Sequence, residues 1–245
     1  MGLKDYTFNT KEDFIHYIYH LVVGISNSIN SFEMQLNDLG DYITERNLIE
    51  KKRRLVSAKV YERYCYLLGS PFDNLLNLFG DNAAYGSSYK NYRKNVKKKG
   101  SSLGITYMKF TPEQEERLNE VTTARDWASH VAVSLIHSTE DKAFDNKIDT
   151  REPIYISLPE NYPGFRLVKL YIEHYESLLS FKELFCLLKK DYEELTGTPC
   201  IVLRESHHLS DIGELTVASI SAGIQTKKVK TIEDIQRIYK ENPHV

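Results

Sequence analysis

One short stretch brings together residue types that do phosphate chemistry: Arg125-Asp126-Trp127-Ala128-Ser129-His130. A guanidinium binds a phosphate through two parallel hydrogen bonds and stabilises charge that develops on it. An imidazole that titrates near neutrality takes a proton from a nucleophile or delivers one to a leaving oxygen. Asp126 has the chemistry to orient either group. The competing reading is structural, with Arg125 paired to an acid and His130 at a helix surface.

Two basic clusters are candidates for contacts to a phosphate backbone. Lys51-Lys52-Arg53-Arg54 is the first, and Lys97, Lys98 and Lys99 close the second, which begins at Lys90, Arg93 and Lys94. The plainer reading of each is a solvated surface. The net charge of −2 argues against a chain that binds nucleic acid through bulk charge alone. His16 and His20 are i, i+4 on a helical stretch, and His207-His208 precede Asp211 and Glu214. Neither spacing is that of a zinc motif, so no metal and no other cofactor is expected. Walker loop, dinucleotide glycine fingerprint and nucleophile elbow are all absent.

These residues need helices to position them. Residues 10–38 carry Phe14, Ile18, Leu21, Ile25, Ile29 and Phe32 at helical spacing, with Thr10 and Asp13 set as a capping box and Gly40 as a stop. Residues 42–68 read as a second helix with its basic cluster outward, broken by Gly69-Ser70-Pro71. Phe72 to Phe79 make a short third segment ending at Gly80. Residues 81–110 read as a mobile region with one set of helical turns around Lys90–Lys99. Thr111-Pro112-Glu113-Gln114 starts a helix that runs to about Ser138, and residues 139–163 form a long excursion. A last long helix spans 164–195 and ends at Gly197.

The expected fold is therefore all-α, an up-and-down helical bundle over 1–196. Residues 197–245 form a small mixed appendage: β-prone runs at Cys200–Leu203 and Leu215–Ile220, then a short helix from Thr231 to Tyr239. No apolar run approaches the roughly 18–20 residues of a membrane span. The N-terminus lacks the pattern of a signal peptide, and Tyr6 stands where a myristoylation signal has Ser or Thr. Three scattered cysteines fit buried thiols in a reducing cytosol. A cytoplasmic protein is expected.

On a wheel, Val121, Ala124, Ala128, Val131 and Leu135 form a core-facing stripe with Arg125 on its flank. Arg125 and His130 lie about 140° apart on an ideal helix. A distorted turn, or two copies of the helix meeting across an interface, would bring them together.

Glu120 to His130 resembles the signature of the HEPN superfamily of small helical bundles: Arg, four to six residues, then His, with a polar residue after the Arg. Arg125, Asp126 and His130 fill those positions. The resemblance covers about residues 8–196. It implies a metal-independent endoribonuclease that acts on RNA through its 2′-hydroxyl, as a homodimer, in phage defence, abortive infection or a toxin–antitoxin pair. It names Arg125, His130 and Asp126 as catalytic. Ala132 stands where one subfamily has a modifiable Tyr, so that modification is not implied. The rival expectation is a non-catalytic helical module, an antitoxin or adaptor, acting on a protein partner.

Overall fold

Thr10 opens the first helix as the sequence predicts. Its side chain accepts from Asp13 N (3.2 Å), and Asp13 accepts in return from Thr10 N (2.9 Å). From there α1 runs Lys11–Glu45 without interruption, about 52 Å at 1.5 Å per residue. The computed structural model describes residues 6–51, 53–83, 86–129 and 158–203 and two short strands near the C-terminus. Gly40 does not stop α1. A Cβ there would lie 3.1 Å from the Tyr171 ring, so this glycine serves a close helix approach.

The expected second helix is corrected. Its first part is a loop, turned by Asn47 at φ 49°, followed by strand β1, Leu55–Ser57. Helix α2 then runs Ala58–Gly80, straight through Pro71. Proline inside a helix costs about 3 kcal/mol, but Tyr64, Leu68, Leu75, Leu76 and Phe79 on either side form one buried stripe. Burying such side chains yields roughly 1.5–3 kcal/mol each, which outweighs the break.

The helical turns expected around Lys90–Lys99 are present, but the region around them, expected to be mobile, is corrected. Ser88 caps helix α3, Tyr89–Lys99, which buries Tyr89, Tyr92, Arg93 and Val96. A 3-10 turn at Ser101–Leu103 follows. Helix α4, Pro112–Ser129, begins with the predicted capping box, Gln114 N to Thr111 Oγ1 (3.4 Å) and Thr111 N to Gln114 Oε1 (3.0 Å). Strand β2, Asn161–Pro163, pairs antiparallel with β1, Val56 opposite Tyr162. Helix α5, Phe165–Thr196, ends at Gly197 with φ 74°. The described part is mostly helical, as expected. Helix α1 packs against α2 and α5 along its length, and α2 against α4.

A polar cluster sits inside this apolar core. Asp191 of α5 accepts from Arg93 Nη1 (2.8 Å), Tyr89 Oη (2.7 Å) and Met108 N (3.3 Å). Burial pushes the Asp191 carboxyl up, against the opposing pull of the Arg93 guanidinium and these hydrogen bonds. The Phe110 ring centroid lies 3.6 Å from the guanidinium carbon. Arg93 Nε and Nη2 find no acceptor among the described residues.

The chain divides into two compact units, Met1–Ile201 and Val202–Val245. In the second, Thr216–Ala218 (β3) pairs antiparallel with Thr226–Lys228 (β4), Val217 opposite Lys227. The β-prone run 200–203 forms no strand through Leu203. The helix expected at Thr231–Tyr239 lies outside the described residues.

Two stability predictions follow from the packing. A Cβ at Gly80 would stand 2.9 Å from Thr122 Cα and 3.1 Å from Val121 O, so α2 and α4 cross there almost backbone to backbone. Gly80→Val should destabilise by about 1–3 kcal/mol in urea titrations. Retained stability would mean the crossing relaxes freely.

His174 is half-buried between the Phe32 and Phe72 rings (5.7 and 5.4 Å). Burial lowers its affinity for a proton, opposed by the Leu170 carbonyl and Glu173. The unfolded chain therefore takes the proton first. The stability from neutral His174 is full above the ordinary value of about 6.5 and is lost as pH falls through the lower, folded value. His174→Leu should flatten the difference in urea midpoint between about pH 7.5 and about pH 5. An unchanged difference would assign it to other groups.

Candidate functional site at the end of α4

Helix α4 turns Leu118, Val121 and Thr122 into the core. Their spacing of three and four carries the inward face on to Arg125 one turn later. The wheel prediction is corrected at Ala124 and Ala128, while Val121 is buried as expected and Val131 and Leu135 lie outside the described residues. Ala124 and Ala128 are exposed, and Arg125 continues the core-facing stripe instead of flanking it. The cause is the α2–α4 crossing at Gly80, which fixes the rotation of α4 through Val121 and Thr122.

That rotation sets Arg125 over the C-terminal end of α2, where unpaired carbonyls favour a cation. Arg125 Nε donates to Asn77 Oδ1 (3.2 Å) and Nη2 pairs with Asp81 Oδ1 (3.0 Å). Asp81 is the residue that ends α2, and it also accepts from Ala83 N (2.9 Å). Among the described residues, the outer nitrogen Nη1 meets Asp126 Oδ1 alone, at 3.2 Å. Arg125 and Asp81 side chains are 22% and 15% exposed, whereas Asp126 is 50% exposed. One edge of the guanidinium is thus anchored and the other is held by a solvated carboxylate. The Trp127 ring next in sequence is 58% exposed. His130 lies outside the described residues.

The sequence did not single out Asn77, Asp81 or Trp127. Asn77 and Asp81 are four apart on one helix, but their link to Arg125 spans more than forty residues and has no local signature. Trp127 is the chain's single tryptophan, and that rarity was the available signal.

The second basic cluster is partly brought to α4. Lys97 pairs with Glu115, and Lys90 donates to Asn119. Burial lowers the Lys90 pKa, Lys97 lowers it further, and Glu115 opposes both. Lys94 and Lys98 are exposed, while Lys99 donates to Phe8 O (2.8 Å) and ties down the N-terminal segment. Arg93 leaves the cluster for the core. Lys51, Arg53 and Arg54 are exposed on the loop between α1 and β1, not on a helix. Arg54 Nη1 donates to Arg46 O (2.9 Å). Lys52 lies outside the described residues.

Among the described residues, no group of three or more His, Cys, Asp or Glu is placed to hold a metal. His16 and His20 are exposed; His207 and His208 lie outside the described residues. Cys65, Cys186 and Cys200 are free thiols. Among the described residues no helix is long and apolar enough to cross a membrane. No protein-family model, curated protein or solved structure matches the chain.

Proposed function

We propose that the chain is a metal-independent endoribonuclease in which Arg125 holds the scissile phosphate. The observation that carries this reading is the split guanidinium: Asn77 and Asp81 fix one edge, and among the described residues the other meets the half-exposed Asp126 alone. A phosphate oxygen can replace Asp126 at Nη1 without disturbing the anchored edge. Such pre-orientation is what a charge-stabilising group in catalysis requires.

In this reading His130, placed by the sequence motif, handles the proton. The substrate's 2′-hydroxyl loses its proton and attacks phosphorus, and the 5′-oxygen leaves with a proton. The product ends in a 2′,3′-cyclic phosphate, and no metal takes part. Exposed Lys94 and Lys98, with Lys97 beside them, contact the backbone of the RNA, and Lys51, Arg53 and Arg54 form a second contact. The HEPN-like identity, a cytoplasmic setting, a homodimer and a role in phage defence or a toxin–antitoxin pair belong to the same proposal.

The test is cleavage of RNA by the full chain in excess chelator. Arg125→Ala and His130→Ala should each abolish cutting with helicity unchanged; retained cutting in both sinks the assignment.

A second reading is a non-catalytic binding module. It is favoured by apolar side chains left exposed along α5, namely Phe165, Ile172, Tyr175 and Leu179.

A further inference from the structure

Helix α5 has two apolar faces, and among the described residues only one is fully covered, the other being closed in part at Val168. Leu167, Leu178, Phe181, Leu184, Leu188 and Leu195 turn into the chain's own core. One residue around the helix, Phe165, Val168, Ile172, Tyr175 and Leu179 repeat at spacings of three and four. Phe165, Ile172, Tyr175 and Leu179 are 48%, 50%, 44% and 45% exposed. In heptad terms Phe165, Ile172 and Leu179 are a positions, and Val168 and Tyr175 are d positions. This is the seam of a coiled coil, with a period of 3.5, on the outside of a folded unit. It ends at the next d position, Lys182, whose ammonium pairs with Glu33 (2.7 Å).

The flanking positions say what covers the seam. The e positions are Lys169, Glu176 and Glu183. Lys169 is exposed and lies only 3.6 Å from Glu173, a loose i, i+4 pair. Glu176 is exposed. On the other flank, the g positions Tyr171 and Leu178 are committed to this chain: Tyr171 lies over Gly40 and Leu178 is buried. In a parallel pair e faces g, and Lys169 and Glu176 would gain no ionic partner. In an antiparallel pair e faces e. With Ile172 layered on Tyr175 of a second copy, Lys169 falls opposite the second copy's Glu176, twice by symmetry. The same register lays Val168 against Leu179.

A groove of about 480 Å³ lies at that end, lined by Leu48, Ile49, Phe165, Val168 and Ile172. It is continuous, through Ile49, Val168 and Ile172, with a larger one of about 780 Å³ that reaches Gly40 and Tyr171. Leu179 of the second copy arrives at its mouth. Helix α5 therefore supplies an apolar seam and a matching pair of charges, and with Leu48 and Ile49 it forms an acceptor groove for a second copy.

We infer that two copies of this chain associate through α5, antiparallel and two-fold symmetric, with Ile172 and Tyr175 at the centre. A two-fold contact uses the same patch on both copies, which is what a self-complementary seam provides. The inference is independent of whether the chain cuts RNA, and it uses a different helix from the one that carries Arg125.

Sedimentation velocity on the full chain tests it over a wide concentration range. The wild type should sediment as two copies. Ile172→Glu should reduce it to one copy with helicity retained and a melting temperature that no longer depends on concentration. Lys169→Glu and Glu176→Lys should each weaken association by about tenfold, equivalent to roughly 1.4 kcal/mol. Combining the two reversals in one chain should restore it. A wild type that stays monomeric throughout overturns the inference. So does a dimer untouched by Ile172→Glu, or a double reversal no tighter than the single ones.

Discussion

Asp191→Ala is expected to destabilise the helical unit by about 3–5 kcal/mol, a large share of the roughly 5–15 kcal/mol that keeps a typical domain folded. The pair it breaks is 3% and 0% exposed. Removing the carboxylate leaves a guanidinium that cannot deprotonate inside an apolar core. Tyr89 Oη and Met108 N also lose their acceptor. Among the described residues Arg93 keeps the Met108 carbonyl (2.8 Å) and the Phe110 and Tyr107 rings. The effect should appear as a lower urea midpoint by far-UV circular dichroism.

The coupling is tested by Arg93→Met with Asp191→Leu. Apolar replacements of similar volume remove the stranded charge, so the double variant should cost less than the sum of the two single ones. Recovery should be incomplete, because Tyr89 Oη and the Met108 backbone groups stay unsatisfied. Strict additivity would show that the two charges do not stabilise one another.

That cluster marks the limit of what the sequence reveals. The capping boxes at Thr10 and Thr111 were legible because every atom in them lies within three residues. The buried face of helix α3 was hidden by its own composition. Its buried positions 89, 92, 93 and 96 have helical spacing, but one of them is an arginine among lysines. Nothing local distinguishes Arg93 from Lys94. The distinction comes from Asp191, 98 residues away. Pro71 was misread for the complementary reason, since a local break was overruled by the apolar stripe on both sides of it. At the candidate site, the rotation of α4 follows from the missing Cβ at Gly80. Ala124 and Ala128 gave a false inward direction because alanine is nearly indifferent to burial. The exposed seam on α5 was available in the residue spacing, but only the packing distinguishes it from the buried face.

Arg125 carries the second large expectation, a loss of at least about 100-fold in RNA cleavage on Arg125→Ala, and its interpretation depends on separating stability from chemistry. The ion pair with Asp81 is mostly buried, and Asn77 loses its donor as well, so the loss should cost about 1–3 kcal/mol. A drop in cleavage far beyond that cannot come from unfolding. Arg125→Lys refines the test. Lysine keeps the charge but is a point donor without a fork. It can reach Asp81 or a phosphate, but it cannot hold Asn77 and Asp81 on one edge while presenting another nitrogen outward. Substantial loss in Arg125→Lys would therefore identify the fork as the working feature. Asp81→Ala approaches it from the other side. It leaves the guanidinium intact and removes its anchor, so the turnover number should fall more than the Michaelis constant rises, as expected for a group misaligned in the transition state. If Arg125→Ala lowers stability as predicted yet leaves cleavage unchanged, Arg125 is a clasp between α2 and α4, and the chemistry lies elsewhere.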